Sequence, residues 1–258
     1  MKLRSKFVIV VGGGRFGLRA AGFAKESKAK VVIIDKNAEC QASRLATSII
    51  KDGDLGRIQR MDEGETALFV HDGIDLLLQL IELSSPDYVS SATDYVSPAT
   101  DYVSPAIPGH LMGMLVKKWF EKRGSKLKGE SRILDAILEG LPDSIVLDVD
   151  REKSRVTMSY MPRELKCPIP CPHPEEFCFI TKKPKMGPVY RILESATSKT
   201  VDISKIFISH QLGPGVGAIR GEEISDMLEL FKQLHPPYNI AVGTACECHG
   251  ILNAFQIT

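Results

Sequence analysis

The chain has 258 residues, 43% of them hydrophobic and 25% charged, with a formal net charge of +1. That composition suits a folded globular protein of two ordinary domains, or one domain with a large addition. The near-zero net charge does not point to nucleic acid or an anionic membrane as partner. No apolar run reaches the about 18–20 residues that would insert in a bilayer.

The start, Met1-Lys-Leu-Arg-Ser-Lys-Phe7, sets basic residues before an apolar run. That run is short and β-branched and ends in three glycines, so it reads as a first strand and not as a secretory signal. The expected compartment is the cytoplasm. The six cysteines then stay reduced and suit metal or redox chemistry before disulfides.

Phe7–Val11 runs into Gly12-x-Gly14-x-x-Gly17, and a helix is expected over Arg15 to Lys25. Val31–Ile34 follows as a second strand ending in Asp35. This is the dinucleotide fingerprint in its βαβ context. Gly12 permits the tight turn, Gly14 the close approach of a pyrophosphate, and Gly17 the packing of helix on sheet. The helix N-terminus presents free N–H groups to the phosphates. Asp35 is placed to accept hydrogen bonds from the adenosine ribose, which favours NAD over NADP. With the neighbouring Arg15, Phe16, Lys36 and the later Asp72, these residues form the candidate cofactor-binding set.

Asn37 caps an expected helix to about Ile50, with Ala42, Leu45, Ala46 and Ile49 at helical spacing. Ala67–Val70 is the expected third strand, closed by His71-Asp72-Gly73, and Ile74–Leu83 an apolar helix. Asp72 and His71 then either touch the cofactor or cap that helix. Residues 87–107 hold three copies of Asp-Tyr-Val-Ser at a period of seven. The prolines and adjacent apolar positions exclude a heptad coiled coil, and so short a unit is no solenoid. One copy supplies the fourth strand; the other two form a surface insertion. His110 follows in a loop leading to a helix over Leu111–Lys122, as either an acid–base group or a helix cap.

Gly12-Gly-Gly-Arg-Phe-Gly17, Ile34-Asp35 and His71-Asp72-Gly73 resemble the TrkA-type (RCK) NAD-binding domain over residues 5 to about 83. A glycine is usual in that family where His71 stands here. The resemblance implies NAD or NADH binding, often a homodimer, and a membrane potassium transporter as regulated partner. It implies no catalytic activity by itself.

The second half contains a helix over Ile133–Leu141 and a hairpin of Ser144–Val149 with Arg155–Tyr160. A proline-rich loop then carries Cys167, Cys171 and Cys178, and Cys246, Cys248 and His249 lie near the C-terminus. Thiolates bind zinc or iron tightly, and four close a tetrahedral site. These six residues are the candidate ligands of a zinc ion or an iron–sulfur cluster. Buried structural cysteines and a redox thiol pair are the other readings. Ile206–Ser209, the glycine loop to Arg220 and a helix over Glu222–Leu234 read as a second strand–loop–helix unit, a turn or an anion seat.

The expected fold is α/β: a Rossmann-like parallel sheet domain (1–128), then a smaller α/β domain with the Cys-rich loop (129–258). The expected function is an NAD(H)-binding regulatory protein carrying a metal or iron–sulfur site. The alternative is an NAD-dependent oxidoreductase acting on a small substrate at the Cys/His site, with His110 or His249 moving a proton.

Overall fold

The computed structural model describes residues 3–84, 99–165, 167–172 and 174–258. The first elements are β1 (Phe7–Val11), α1 (Arg15–Glu26), β2 (Lys30–Asp35), a 3-10 turn at Gln41–Leu45, β3 (Ser48–Ile50), α2 (Gly56–Gln59), β4 (Thr66–Val70), α3 (Gly73–Leu83) and β5 (Tyr102–Pro105). Next come α4 (Leu111–Lys122), β6 (Leu127–Gly129), α5 (Ser131–Glu139), β7 (Val146–Asp150), β8 (Arg155–Ser159), α6 (Val189–Thr197) and β9 (Ile203–Ile208). The last are β10 (His210–Gly213), β11 (Val216–Arg220), α7 (Gly221–Lys232), β12 (Tyr238–Ala245) and β13 (His249–Ile257). The fold is α/β, with two sheets. No helix among the described residues is long and apolar enough to cross a membrane.

The chain divides into two compact units, Met1–Leu111 with His210–Gln233, and Met112–Ser209 with Leu234–Thr258. The first holds a seven-stranded sheet in the order β10-β11-β5-β1-β2-β4-β3. Its five strands from β5 to β3 are mutually parallel, and β11 and β10 add antiparallel at the β5 edge. Parallel strands covered on both faces must be apolar throughout, and all five residues of β1 are buried. Helix α1 buries Ala20, Ala21 and Ala24, small residues that let it lie close to the strands. Helix α7 buries Ile224, Met227, Leu228 and Phe231 at helical spacing, and its Glu222 and Glu223 suit the positive end of the helix dipole.

Three expectations are corrected here. Residues 37–50 form no continuous helix, but a 3-10 turn and then the edge strand β3. Asn37 instead closes a local turn, its Oδ1 accepting from Glu39 N at 2.9 Å. The strand at Ile206–Ser209 and the helix from Glu222 are present as β9 and α7, but residues 210–220 between them are no glycine loop. They form a hairpin turning at Gly215 (φ +66°), and Arg220 at its end pairs with Glu222 at 3.4 Å. The two units also do not meet at 128/129. Residues 210–233 belong to the first unit, because β11 pairs with β5 through Ile219–Val103 and Arg220–Tyr102.

The third copy of the repeat supplies β5, where Asp101 fixes the strand start by accepting from Phe7 N at 2.8 Å and from Lys6 Nζ at 2.7 Å. Residues 87–98 of the first two copies (87–100) lie outside the described residues.

The second unit holds the sheet β7-β8-β13-β12-β9, with β6 on β13. All its pairs are antiparallel except β12 with β9. Its core sets Leu134 and Ile137 of α5 and Val189 and Leu193 of α6 with Val156, Met158, Leu252 and Ala254 of the sheet. The hairpin expected around residues 150–154 is present as β7–β8.

Helix α3 starts at Asp72, whose Oδ1 accepts from Ile74 N and Asp75 N at 3.0 Å each. Lys36 Nζ lies 2.9 Å from Asp72 Oδ2. Burial pushes the Asp72 carboxyl up; the Asp75 N–H, Lys36 and the Ile74 N–H outweigh it and hold the group below its ordinary value. A carboxyl depressed in the folded state adds stability above its unfolded value, about 3.9, which is lost as pH falls through the folded value. Asp72→Ala is therefore expected to cost about 0.5–2 kcal/mol at pH 7, a difference that narrows in acid. Urea denaturation at pH 7 and pH 3 checks this, and a cost equal at both contradicts it. By the same assay, Leu68→Ala in β4 (0% exposed) should cost about 2–5 kcal/mol. Ile49→Ala in β3 (47% exposed) should cost under about 1 kcal/mol. The reverse order would restore Ile49 to a buried helix face.

Candidate functional site

The glycine turn follows β1 at the carboxyl edge of the parallel sheet. Gly12 has φ +101°, and a Cβ there would stand 2.6 Å from Ala106 O. A Cβ at Gly17 would overlap Gly12 O, and one at Gly13 would overlap Cys40 Sγ. These three positions are closed to side chains by the chain itself. Gly14 differs: its φ is an ordinary −71°, and a Cβ there would have nothing within 4 Å. The fold makes no use of the missing side chain at Gly14, whereas a ligand lying against the backbone would.

Gly14 is the N-cap of α1, with no side-chain cap and no acidic residue in the first turn. Helices α3 and α7 have acids in their first turns; α1, like α4 and α6, has none, and the carboxylate nearest its start is Asp35, which holds the Gly13 N–H. Gly14, Arg15 and Phe16 are exposed at this end. The Arg15 guanidinium lies 5.1 Å from the Phe16 ring centroid.

Asp35 ends β2 beside the turn. Its Oδ2 accepts from Gly13 N at 2.6 Å and its Oδ1 from Asn37 N at 2.8 Å. A carboxylate has about four acceptor positions, so two bonds fix it and leave capacity for ribose hydroxyls. Ala42 N donates to Gly13 O at 2.8 Å, and Cys40 is buried against Gly13. Burial first, then the Asp35 charge, pushes the Cys40 thiol up. Sequence reasoning missed Cys40, because a single cysteine after the second strand carries no periodic or motif signal.

The structure thus brings Gly12, Gly14, Arg15, Phe16, Gly17 and Asp35 together. Lys36 and Asp72 pair with each other at the ends of β2 and β4. Asp72 follows the capping alternative. His71 is exposed, its Nδ1 3.1 Å from Asp72 O, while His110 is only 4% exposed.

In the second unit, Cys246 and Cys248 occupy the turn between β12 and β13, the two longest strands. Cys246 N donates to His249 O at 2.9 Å, and Cys248 N to Cys246 Sγ at 3.4 Å. Cys246 Sγ lies 3.7 Å from His249 Nδ1. Both side chains line a cavity of about 550 Å³ with Met158, Met161, Leu165 and Ile251. Cys178 is buried, and Cys167 and Cys171 are half-buried in the proline loop. Among the described residues, no three His, Cys, Asp or Glu side chains are assembled around one metal position. His173 lies outside the described residues.

Residues 7–111 match a family model described as "Uncharacterized protein, N-terminal domain", and residues 113–258 one described as "Uncharacterized protein, C-terminal domain". An "Uncharacterized protein" of Archaeoglobus fulgidus is 31% identical over 249 residues, covering 96% of this chain and 98% of that one. No solved structure matches the chain. With both models matched in order and the relative spanned nearly end to end, the chain belongs to the family defined by this N-terminal and C-terminal domain pair.

Proposed function

We propose that the first unit binds NAD(H), with the pyrophosphate over Gly14 at the start of α1 and the adenosine ribose at Asp35. The observation that carries this reading is the open backbone at Gly14, next to three positions where the chain's own atoms exclude a side chain. A helix start with no acid in its first turn, beside a fixed carboxylate, matches the chemistry of a dinucleotide: phosphates at the N–H groups, hydroxyls at the acid. The ribose 2′-phosphate of NADP would meet the Asp35 carboxylate, so NADH is preferred.

The groups gathered at the turn bind rather than react. They are backbone donors, a carboxylate and an exposed guanidinium. That supports a nucleotide-responsive regulatory protein over a hydride-transfer enzyme. The TrkA-type resemblance supports the same reading and extends it to a potassium transporter as the regulated partner. NAD(H) and reduced cysteines both suit the cytoplasm, where we place the protein.

Titration of NADH and NADPH, followed by nicotinamide fluorescence, tests the proposal. NADH should bind at least about tenfold more tightly than NADPH, a difference of about 1.4 kcal/mol. Gly14→Val should weaken NADH at least about tenfold while costing the fold no more than about 1–2 kcal/mol, the loss of a glycine N-cap, because its Cβ meets open space. Equal binding of both dinucleotides, or undiminished binding by Gly14→Val, contradicts the assignment.

A further inference from the structure

Side chains alternate between the two faces of a strand, and the core of the second unit shows which face α5 and α6 cover. In β8, Val156 and Met158 join that core, so Thr157 points away from it. In β12, Ala241 and Ala245 join it, so Thr244 and Cys246 point away. In β13, Leu252 and Ala254 join it, so Ile251 and His249 point away. A Cβ at Gly250 would stand 2.8 Å from Val189 Cγ1 and 3.0 Å from Leu193 Cδ1, so α6 holds the start of β13 to the same alternation. Thr157, Thr244, Cys246, His249 and Ile251 therefore share the other face of the sheet, and all five line the cavity of about 550 Å³.

Cys246 and His249 face each other because of the hairpin register. β12 and β13 pair as far as Ala245 and Gly250, and Cys246 N donates to His249 O at 2.9 Å to close the turn. Their side chains then stand opposite each other, with Cys246 Sγ 3.7 Å from His249 Nδ1, hydrogen-bonding distance for sulfur. Cys246 is half-buried, whereas Cys40 and Cys178 are buried, and a thiol must be reachable to react. Among the described residues, no third His, Cys, Asp or Glu side chain joins this pair around a metal position. The segment after β8 supplies a wall. Tyr160 N donates to Cys248 O at 3.1 Å and Met161 N to Ser159 Oγ at 2.9 Å, which hold that segment beside the turn. It brings Met161, Pro162 and Leu165 to the cavity. Arg163 also lines it, but pairs with Asp148 Oδ1 at 2.7 Å, and the lining includes no carboxylate and no lysine among the described residues. A mostly apolar space of this size falls within the about 300–1,000 Å³ of small-molecule sites.

We propose that Cys246 is a thiol nucleophile, with His249 as its base, and that the pair hydrolyses small uncharged acyl esters or thioesters held in this cavity. His249 Nδ1 takes the thiol proton as Cys246 Sγ attacks the acyl carbon. A sulfur–carbon bond forms, and the carbonyl π pair moves to the oxygen. The return of that pair breaks the bond to the alcohol or thiol, which leaves with the proton from His249. Water then attacks the acyl group on Cys246 and gives a proton to His249. The sulfur–carbon bond breaks, the carboxylic acid departs, and His249 returns the proton to the sulfur. The cycle consumes one ester and one water. The apolar walls suit the acyl chain. A phosphoryl substrate would call for cationic partners, and the guanidinium on the wall is already paired with Asp148. The proposal rests on the second unit and is independent of dinucleotide binding.

The test mixes p-nitrophenyl butyrate with the full chain, reduced beforehand and freed of reductant. A burst of about one nitrophenolate per chain is expected, followed by slower turnover, with the butyryl group found on Cys246 by peptide mapping. Cys246→Ser should abolish the burst, and His249→Ala should slow it at least about 100-fold, while Cys171→Ser leaves it unchanged. A second measurement needs no variant to fold. Iodoacetamide in limiting amount, added to the unsubstituted chain, should alkylate Cys246 first among the six cysteines. The proposal is overturned by nitrophenolate release no faster than in buffer, or by butyryl on a cysteine other than Cys246. It is equally overturned by a His249→Ala chain that is acylated as fast as the parent, or by alkylation of Cys167 or Cys171 ahead of Cys246.

Discussion

At Gly12 and Gly17 a strand and a helix meet with no room for one methyl group. The first unit depends on that approach. Gly12 turns the chain out of β1, with its N–H bonded to Ile34 O at 2.8 Å, and α1 then returns over the sheet on its alanine face. Because α1 starts immediately beyond β1, its positive end and the carboxyl ends of β1 and β2 share one edge. Asp35 is fixed there by the Gly13 N–H, so the same backbone that makes the turn also orients the acid. Fold and candidate site are consequences of one steric constraint.

That constraint also separates two meanings of a glycine-rich sequence. Gly12, Gly13 and Gly17 answer to the chain's own packing, and replacing any of them strains the fold. Gly14 answers to nothing in the chain. The charge pattern points the same way: α3 and α7 have acids at their starts, and α1 has none. A first turn without an acid leaves its N–H groups to an outside anion.

Much of this was legible in the sequence where the signal is local. The β1–α1–β2 unit shows as an apolar run, a glycine spacing and a second run ending in an acid. The β7–β8 hairpin and α4 show in the same way. Long-range pairing does not. β11 joins β5 across more than a hundred residues of chain, and nothing in the composition of 210–220 marks it as an edge of the first sheet. The apolar positions at Ala42, Leu45, Ala46 and Ile49 fit a helical period, yet Ile49 belongs to a three-residue edge strand paired with β4. There tertiary pairing overrides the period. Of the candidate site, the glycines and Asp35 could be read from spacing. The cover formed by Cys40 and Ala42 could not, since it follows from the 3-10 turn that replaced the expected helix.

Amide hydrogen exchange across the full chain, with and without NADH, tests the central claim most directly. An anion seated on the start of α1 must occupy its free donors. The account predicts slowed exchange in residues 13–18 and 35–40 when NADH is added, and no comparable slowing at the starts of α3 and α7. NADH that binds while leaving exchange in residues 13–18 unchanged would contradict it.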